Sequence, residues 1–228
     1  MKVEAVRTPC EPAALGRALG LAWFRLFGAM PARASVDLLL AQWAFETSRG
    51  RACYAWNLGN SKATSAWDGD FCERPCNELL TEKQAADALS RAAPRTDGPG
   101  SDVLLGGTVG SLRIVWFYAS NPASRFRAFS TLDAGALDYL DLLHNRFASA
   151  WPHVVAGDPQ RFIASLKASG YFAGNERDYL RGVESLSREY SHLTIDLTPP
   201  APDTSGALTA AQDASLRDLS WSLLKGES

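Results

Sequence analysis

One stretch constrains the chain more than any other: residues 36–62, VDLLLAQWAFETSRGRACYAWNLGNSK. Its first part has the spacing of a buried helix, with Leu39, Leu40, Trp43 and Ala44 recurring on one side. Ser35 is placed to cap the N-terminus, and Asp37 suits the first turn, where the helix dipole favours an anion. Thr47, Ser48 and Gly50 are stop signals. Glu46 therefore falls in the last turn, on or beside the apolar face. Low dielectric and the negative end of the helix both disfavour its charged form. Both effects push a carboxyl toward the pKa of a general acid working near neutrality. The ordinary alternative is a structural ion pair at the rim with Arg49 or Arg51.

The rest of the chain reads as further helices around a middle of different texture. Residues 12–29 form a helix opened by Pro12 and stopped by Gly28, with Leu15, Leu19, Ala22, Trp23, Leu26 and Phe27 apolar. Pro31 separates it from the Glu46 helix, and two apolar helices in tandem begin a bundle. From residue 54 to 121, glycines and prolines punctuate the sequence. A short helix is expected over 81–92, a loop over 93–110 and a strand over 112–118, LRIVWFY. Beyond it, Ser130 starts a helix carrying Tyr139, Leu143 and Phe147. Asp158–Pro159 opens another, which Gly170 ends, and Asn175 caps a third containing Tyr179 and Tyr190. LTPPAPDTSG is a linker to a final helix at 207–224. The expected fold is mainly α, an α+β helical bundle of six or seven helices with a small irregular β lobe forming a cleft. One domain spans 1–195, with its lobe at 54–121, and 196–228 is linker and helix.

Composition excludes some classes. A net charge of −2 lacks the basic excess of a nucleic-acid binder. The most apolar early segment, 20–30, is interrupted by Arg25 and is too short to span a bilayer. The N-terminus has acids and prolines where a signal peptide needs an apolar run. His144, His153 and His192 are not spaced as zinc ligands beside the cysteines, and there is no Cys-x-x-Cys pair, so no metal or other cofactor is expected. Cys53, Cys72 and Cys76 cluster closely enough to permit a disulfide from Cys53 to Cys72 or to Cys76. Four free thiols are the alternative.

The order of residues after Glu46 carries a resemblance. Glu46-Thr-Ser-Arg-Gly is followed by Tyr54, Asn57-Leu58-Gly59-Asn60, Lys62-Ala63 and Trp67-x-Gly69. Phe126-Arg127-x-Phe129, a helix with Tyr139, and Gly170-Tyr171 before Tyr179 come later. Over residues 34–190 this resembles glycoside hydrolase family 73, the glucosaminidase group of lysozyme-like peptidoglycan hydrolases. The resemblance implies cleavage of β-1,4 bonds in the bacterial wall glycan, most often as a β-N-acetylglucosaminidase, with Glu46 as the general acid. Muramidase or lytic transglycosylase activity is the near alternative, and a non-catalytic wall-binding or assembly module the distant one. The protein would then work in the periplasm or cell wall. Delivery by a secretion system or phage, or an already removed leader, would account for the missing signal, and an antibacterial effector would need an immunity protein as partner.

The resemblance also assigns residues. Counting on from Gly69, the family's second glutamate falls at Glu78, with Glu73, Glu82 and Asp70 as rivals; Pro75 interrupts the strand that should carry it. Tyr171 matches a tyrosine that lines the cleft near the acid. Tyr54, Asn57, Asn60 and Trp67 are the candidate substrate-binding residues, although the two asparagines equally suit a turn. Phe126 and Arg127 serve architecture, with Arg127 near the cleft floor.

Overall fold

The helix that ends at Glu46 lies inside the molecule. In the computed structural model, which describes residues 1–201, it runs Arg33–Glu46 and is buried without a break from residue 35 to 44. Enclosure on all sides rather than one is the mark of a central helix. It begins three residues earlier than a Ser35 cap implies. Ala32 occupies the N-cap position, and the hydroxyl of Ser35 instead donates to the Val155 carbonyl at 3.1 Å. Asp37 is also buried, and accepts from Arg33 Nε at 2.7 Å.

Six further helices are described: α1 (Pro12–Phe27), then after the Glu46 helix (α2), α3 (Glu82–Ser90), α4 (Leu132–Asp141), α5 (Trp151–Ala156), α6 (Pro159–Ala168) and α7 (Glu176–Tyr190). Together they make seven among the described residues, and the mainly helical expectation holds. The helix expected at 207–224 lies outside the described residues. All except α3 surround α2 and share its core, in which Trp43, Tyr139 and Phe162 are fully buried. Burying side chains of this kind stabilises by about 1.5–3 kcal/mol each. Thr131, not Ser130, caps α4, which continues as a π-helical segment, Leu142–Arg146. The helix α5 was not read from the sequence.

The β structure is two small sheets. One has the order β1 (Lys2–Val3), β2 (Phe71–Glu73), β6 (Arg125–Arg127), with Cys72 opposite Phe126. The other has β3 (Cys76–Leu80) on β5 (Leu112–Phe117), and β5 on β4 (Val103–Val109), all antiparallel. Ala85 of α3 packs on one face of this sheet with Val103, Val115 and Phe117. The strand β4 corrects the loop expected over 93–110. Its Gly106-Gly107 pair resembles loop sequence, but the register shifts between Leu105 and Thr108 as a bulge that absorbs it. Pro75 falls between β2 and β3, so it separates two strands instead of breaking one.

No disulfide forms: Cys10, Cys53, Cys72 and Cys76 are all free. Cys53 packs in the helical core, whereas Cys72 lies in a small cluster with Phe126, against which Cys76 also packs. Among the described residues, no helix is long and apolar enough to cross a membrane.

Candidate active site

The end of α2 is tied off by the residue after Glu46. Thr47 is fully buried; its hydroxyl donates to the Trp43 carbonyl at 2.6 Å and accepts from the Gly50 amide at 2.9 Å. The chain then turns back under Trp43. Gly50 has φ +81, and a Cβ there would lie 2.9 Å from the Trp43 ring. The Glu-Thr-x-x-Gly pattern is thus a knot that fixes where the helix stops, and with it the position of Glu46. Neither arginine takes the ion-pair alternative. Arg49 forms a bidentate pair with Glu189, and Arg51 Nε donates to the Ser48 carbonyl at 3.2 Å.

Glu46 is half-buried and meets a phenol rather than a cation. The Tyr179 hydroxyl, from α7, donates to Glu46 Oε1 at 2.5 Å. Burial raises the carboxyl's pKa above its ordinary value, and the bond from Tyr179 offsets part of that rise. One turn earlier, fully buried Gln42 organises the surroundings. Its Nε2 donates to the Tyr171 hydroxyl at 2.8 Å and to the Tyr179 hydroxyl at 3.3 Å. Its Oε1 accepts from Tyr139 of α4, whose hydroxyl also lies 3.3 Å from the Leu39 carbonyl. Burial, with the nearby Glu46 charge adding to it, raises the pKa of all three phenols, so they are neutral donors.

Tyr171 therefore joins Glu46 through Gln42 and Tyr179. The sequence reading named Tyr139 and Tyr179 as helix and motif positions, without a role at the site, and passed over Gln42. The signal was there: a glutamine one turn before Glu46, on a helix otherwise apolar at that level, needs buried partners.

The loop after α2 forms one side of the site. Every non-glycine residue with positive φ among the described residues falls within it: Ser48, Arg49, Ala55, Trp56 and Asn60. Such conformations cost energy and cluster where structure is over-determined by function. Asn57 is 2% exposed, and its amide is committed to backbone. Its Nδ2 donates to the Ser61 and Arg127 carbonyls, both at 2.9 Å, and its Oδ1 accepts from the Ser61 amide at 2.8 Å. These bonds hold the loop together, the turn role that the sequence left open for Asn57 beside substrate binding. Asn60 reaches the Glu46 carbonyl with Nδ2 at 3.5 Å, and accepts from Arg74 Nη2 at 2.7 Å. Arg74 in turn lies over the rings of Tyr54 and Phe126, at 4.9 and 4.0 Å from their centroids. Arg7 Nε donates to the Tyr54 hydroxyl at 3.0 Å.

Contacts continue from there to Glu78. Lys62 Nζ lies 4.0 Å from the centroid of the same Phe126 ring and 3.0 Å from Glu78 Oε1. Glu78 sits in the middle of β3, opposite Val115, and its side chain is 43% exposed. Glu46 and Glu78 are thus linked by one series of contacts through Asn60, Arg74, Phe126 and Lys62, but their environments are opposite. The rivals of Glu78 are paired as well: Glu73 with Lys2 and Arg125, Glu82 with Arg113, and Asp70 with the N-terminal ammonium. Trp67 is half-buried, donates its Nε1–H to the Asp70 carbonyl at 2.8 Å, and lies under the Arg127 guanidinium. With Phe71, Thr64, Ser65 and Arg125 it lines a depression of about 390 Å³. Arg127 pairs with Asp138 of α4 at 2.5 Å.

No family model matches the sequence, and no curated protein does. The chain is similar to the solved structure of a mutant peptidoglycan hydrolase from Sphingomonas sp. A1, with 22% identity, TM-score 0.44, and coverage of 80% of this chain and 93% of that one. It is also similar to a C-terminally truncated glycoside hydrolase domain of FlgJ from Salmonella typhimurium, with 17% identity, TM-score 0.42, and coverage of 81% and 100%. A further structure of a peptidoglycan hydrolase from Sphingomonas sp. A1 has 20% identity, TM-score 0.42, and coverage of 82% and 98%.

Proposed function

We propose that the protein is a peptidoglycan hydrolase that cleaves β-1,4 bonds of the wall glycan, with Glu46 as general acid. One observation carries the reading. Glu46 is desolvated at a helix C-terminus, has no ion-pair partner among the described residues, and takes a hydrogen bond from a neutral phenol. A structural glutamate would have a cation in that place. A general acid needs its pKa moved up toward neutral pH, and burial moves the Glu46 carboxyl in that direction. The motif order around Glu46 supplies the substrate class.

Cleavage requires a proton for the leaving oxygen and a group to handle the oxocarbenium-like centre. Glu46 gives the proton. Glu78 is a half-exposed carboxylate held by Lys62. That supports a mechanism in which the substrate's own N-acetyl group, or an internal sugar hydroxyl as in a lytic transglycosylase, does the second job. Glucosaminidase activity is the preferred form of the reading. Purified sacculi treated with the protein should lose turbidity, and Glu46→Gln should not clear them. Mass spectrometry of the muropeptides identifies the linkage: a reducing N-acetylglucosamine end supports glucosaminidase cleavage, a reducing muramic end muramidase, and an anhydro-muramic end transglycosylase. Wild-type protein that releases no fragment would overturn the catalytic reading.

A further inference from the structure

The hydrogen-bond arithmetic around Gln42 goes one step beyond identifying the acid. A primary amide has two N–H donors and one carbonyl acceptor. Gln42 points both donors at phenol oxygens, Tyr171 at 2.8 Å and Tyr179 at 3.3 Å, while its Oε1 faces the Tyr139 hydroxyl. The Tyr179 oxygen is thus already accepting, and its single hydrogen is directed to Glu46 Oε1 at 2.5 Å. A protonated carboxyl has one hydroxyl and one carbonyl oxygen. The oxygen that accepts from Tyr179 is the carbonyl one.

We propose that Gln42 is a positioning residue which, through Tyr179, keeps the acidic proton of Glu46 on Oε2, the oxygen left for the substrate. Without the amide, the Tyr179 hydroxyl is free to turn and accept from Glu46. The proton would then sit on Oε1, facing the helices, and could not be delivered. The same amide donates to Tyr171, whose own hydrogen has no acceptor among the described residues. That leaves the Tyr171 hydroxyl as a donor for substrate. The inference rests on reading Glu46 as the acid.

The groups around Glu46 define the controls. They are Tyr139 on α4, Tyr171 after α6, Tyr179 on α7, and the Arg49–Glu189 pair that joins the loop after α2 to α7. Asn60 touches only the Glu46 backbone carbonyl, and brings Arg74 with it. None of these is removed by changing Gln42 to the nearly isosteric methionine.

The test uses two readouts: the pH profile of sacculus hydrolysis, and a carbon NMR titration of the glutamate side chains in the intact protein. Tyr179→Phe removes a donor to the anion, so the Glu46 titration and the alkaline limb of activity should move up by about 1–2 pH units. Gln42→Met should move both in the same direction, with its loss in kcat rather than KM. In the double variant the shifts should not add, because both changes break the same link. A folded Gln42→Met with wild-type Glu46 titration and pH limb overturns the proposal, and so do additive shifts. If Gln42→Met does not fold, Tyr139→Phe frees the other end of the amide. It should give a smaller shift in the same direction, and no shift there overturns the proposal. The NMR titration needs no substrate, so a protein that cleaves nothing would sink the functional reading while the proton arrangement is still tested.

Discussion

The two carboxylates show what the two halves of the molecule are built to do. Glu46 stands at the end of a helix enclosed by other helices, where Gln42 is matched with three phenols, Asp37 with Arg33 and Thr47 with two backbone groups. Glu78 stands on a three-stranded sheet whose outer residues Leu104 and Trp116 are exposed, and it is met by a lysine. Burial is affordable for one acid because no counter-charge is wanted there. The other keeps water and a cation. Under the proposed function, two like groups in opposite environments would take different roles.

The largest expected effect is at the buried end. Glu46→Gln removes the transferable proton, so hydrolysis of sacculi should fall by at least ~10²–10⁴-fold. The same variant sharpens the comparison through stability. Burial raises the Glu46 pKa in the folded state, so the folded protein binds more protons there than the unfolded chain. Its contribution to stability is therefore full at pH below the unfolded value and is lost as pH rises through the folded one. Glutamine escapes that loss. Glu46→Gln should melt above the wild type at pH 7 and approach it near pH 4, by calorimetry at both values. A variant that melts below wild type at pH 7 would mean that Glu46 is not paying for its burial.

Glu78→Gln should cost less than that range, since its carboxylate is half-exposed and already matched by Lys62. Initial rates on sacculi give the ordering. A loss equal to that of Glu46→Gln would make Glu78 the base that activates water and would erase the contrast between the halves.

What the sequence made legible follows the same division. The helices around Glu46 were readable because apolar spacing, Pro12, Asp158–Pro159 and Asn175 are local signals, and local signals dominate a bundle. The sequence reading erred where a decision was made at distance. Ser35 looks like a cap, but the helix starts earlier because Ser35 has a partner in Val155. Gln42 looks like one polar residue beside Trp43, and only the arrival of α4 and α7 shows its three partners. In the lobe, β4 was missed because its glycines are absorbed by a bulge against β5. Asn57 matched a motif whose letters do not say whether an amide faces sugar or backbone. At Glu46 the motif and the physical chemistry of a buried helix end coincide, so its burial was legible.

Packing between the halves should be less forgiving than packing within one. A Cβ at Gly135 of α4 would lie 2.0 Å from the Trp56 carbonyl oxygen, which is backbone of the strained loop. A Cβ at Gly182 of α7 would lie 2.3 Å from the Phe45 ring, but that ring is 41% exposed and can swing aside. Gly135→Ala should therefore destabilise by ~1–3 kcal/mol, with a lower melting temperature of roughly 2–4 °C per kcal/mol. Gly182→Ala should lose less, helped by the better helix propensity of alanine. The reverse order would place the rigid contact between helices and the yielding one at the loop.

The smallest effect expected is none at all, and it tests whether the halves are joined covalently. A bond from Cys53 to Cys72 would tie the helical core to the first sheet, and would typically add 2–4 kcal/mol. All four cysteines are free, however. Burial pushes the Cys10 thiol up to about 12 and raises those of Cys53 and Cys72 as well. Such thiols carry little thiolate at neutral pH and are poor nucleophiles. Reductant should leave the melting temperature and the activity unchanged. Thiol titration should count four groups after denaturation, with slow reaction in the native state. A native count of two after denaturation without reductant, together with a melting temperature that drops when reductant is added, would show that the core and the sheet are stapled together.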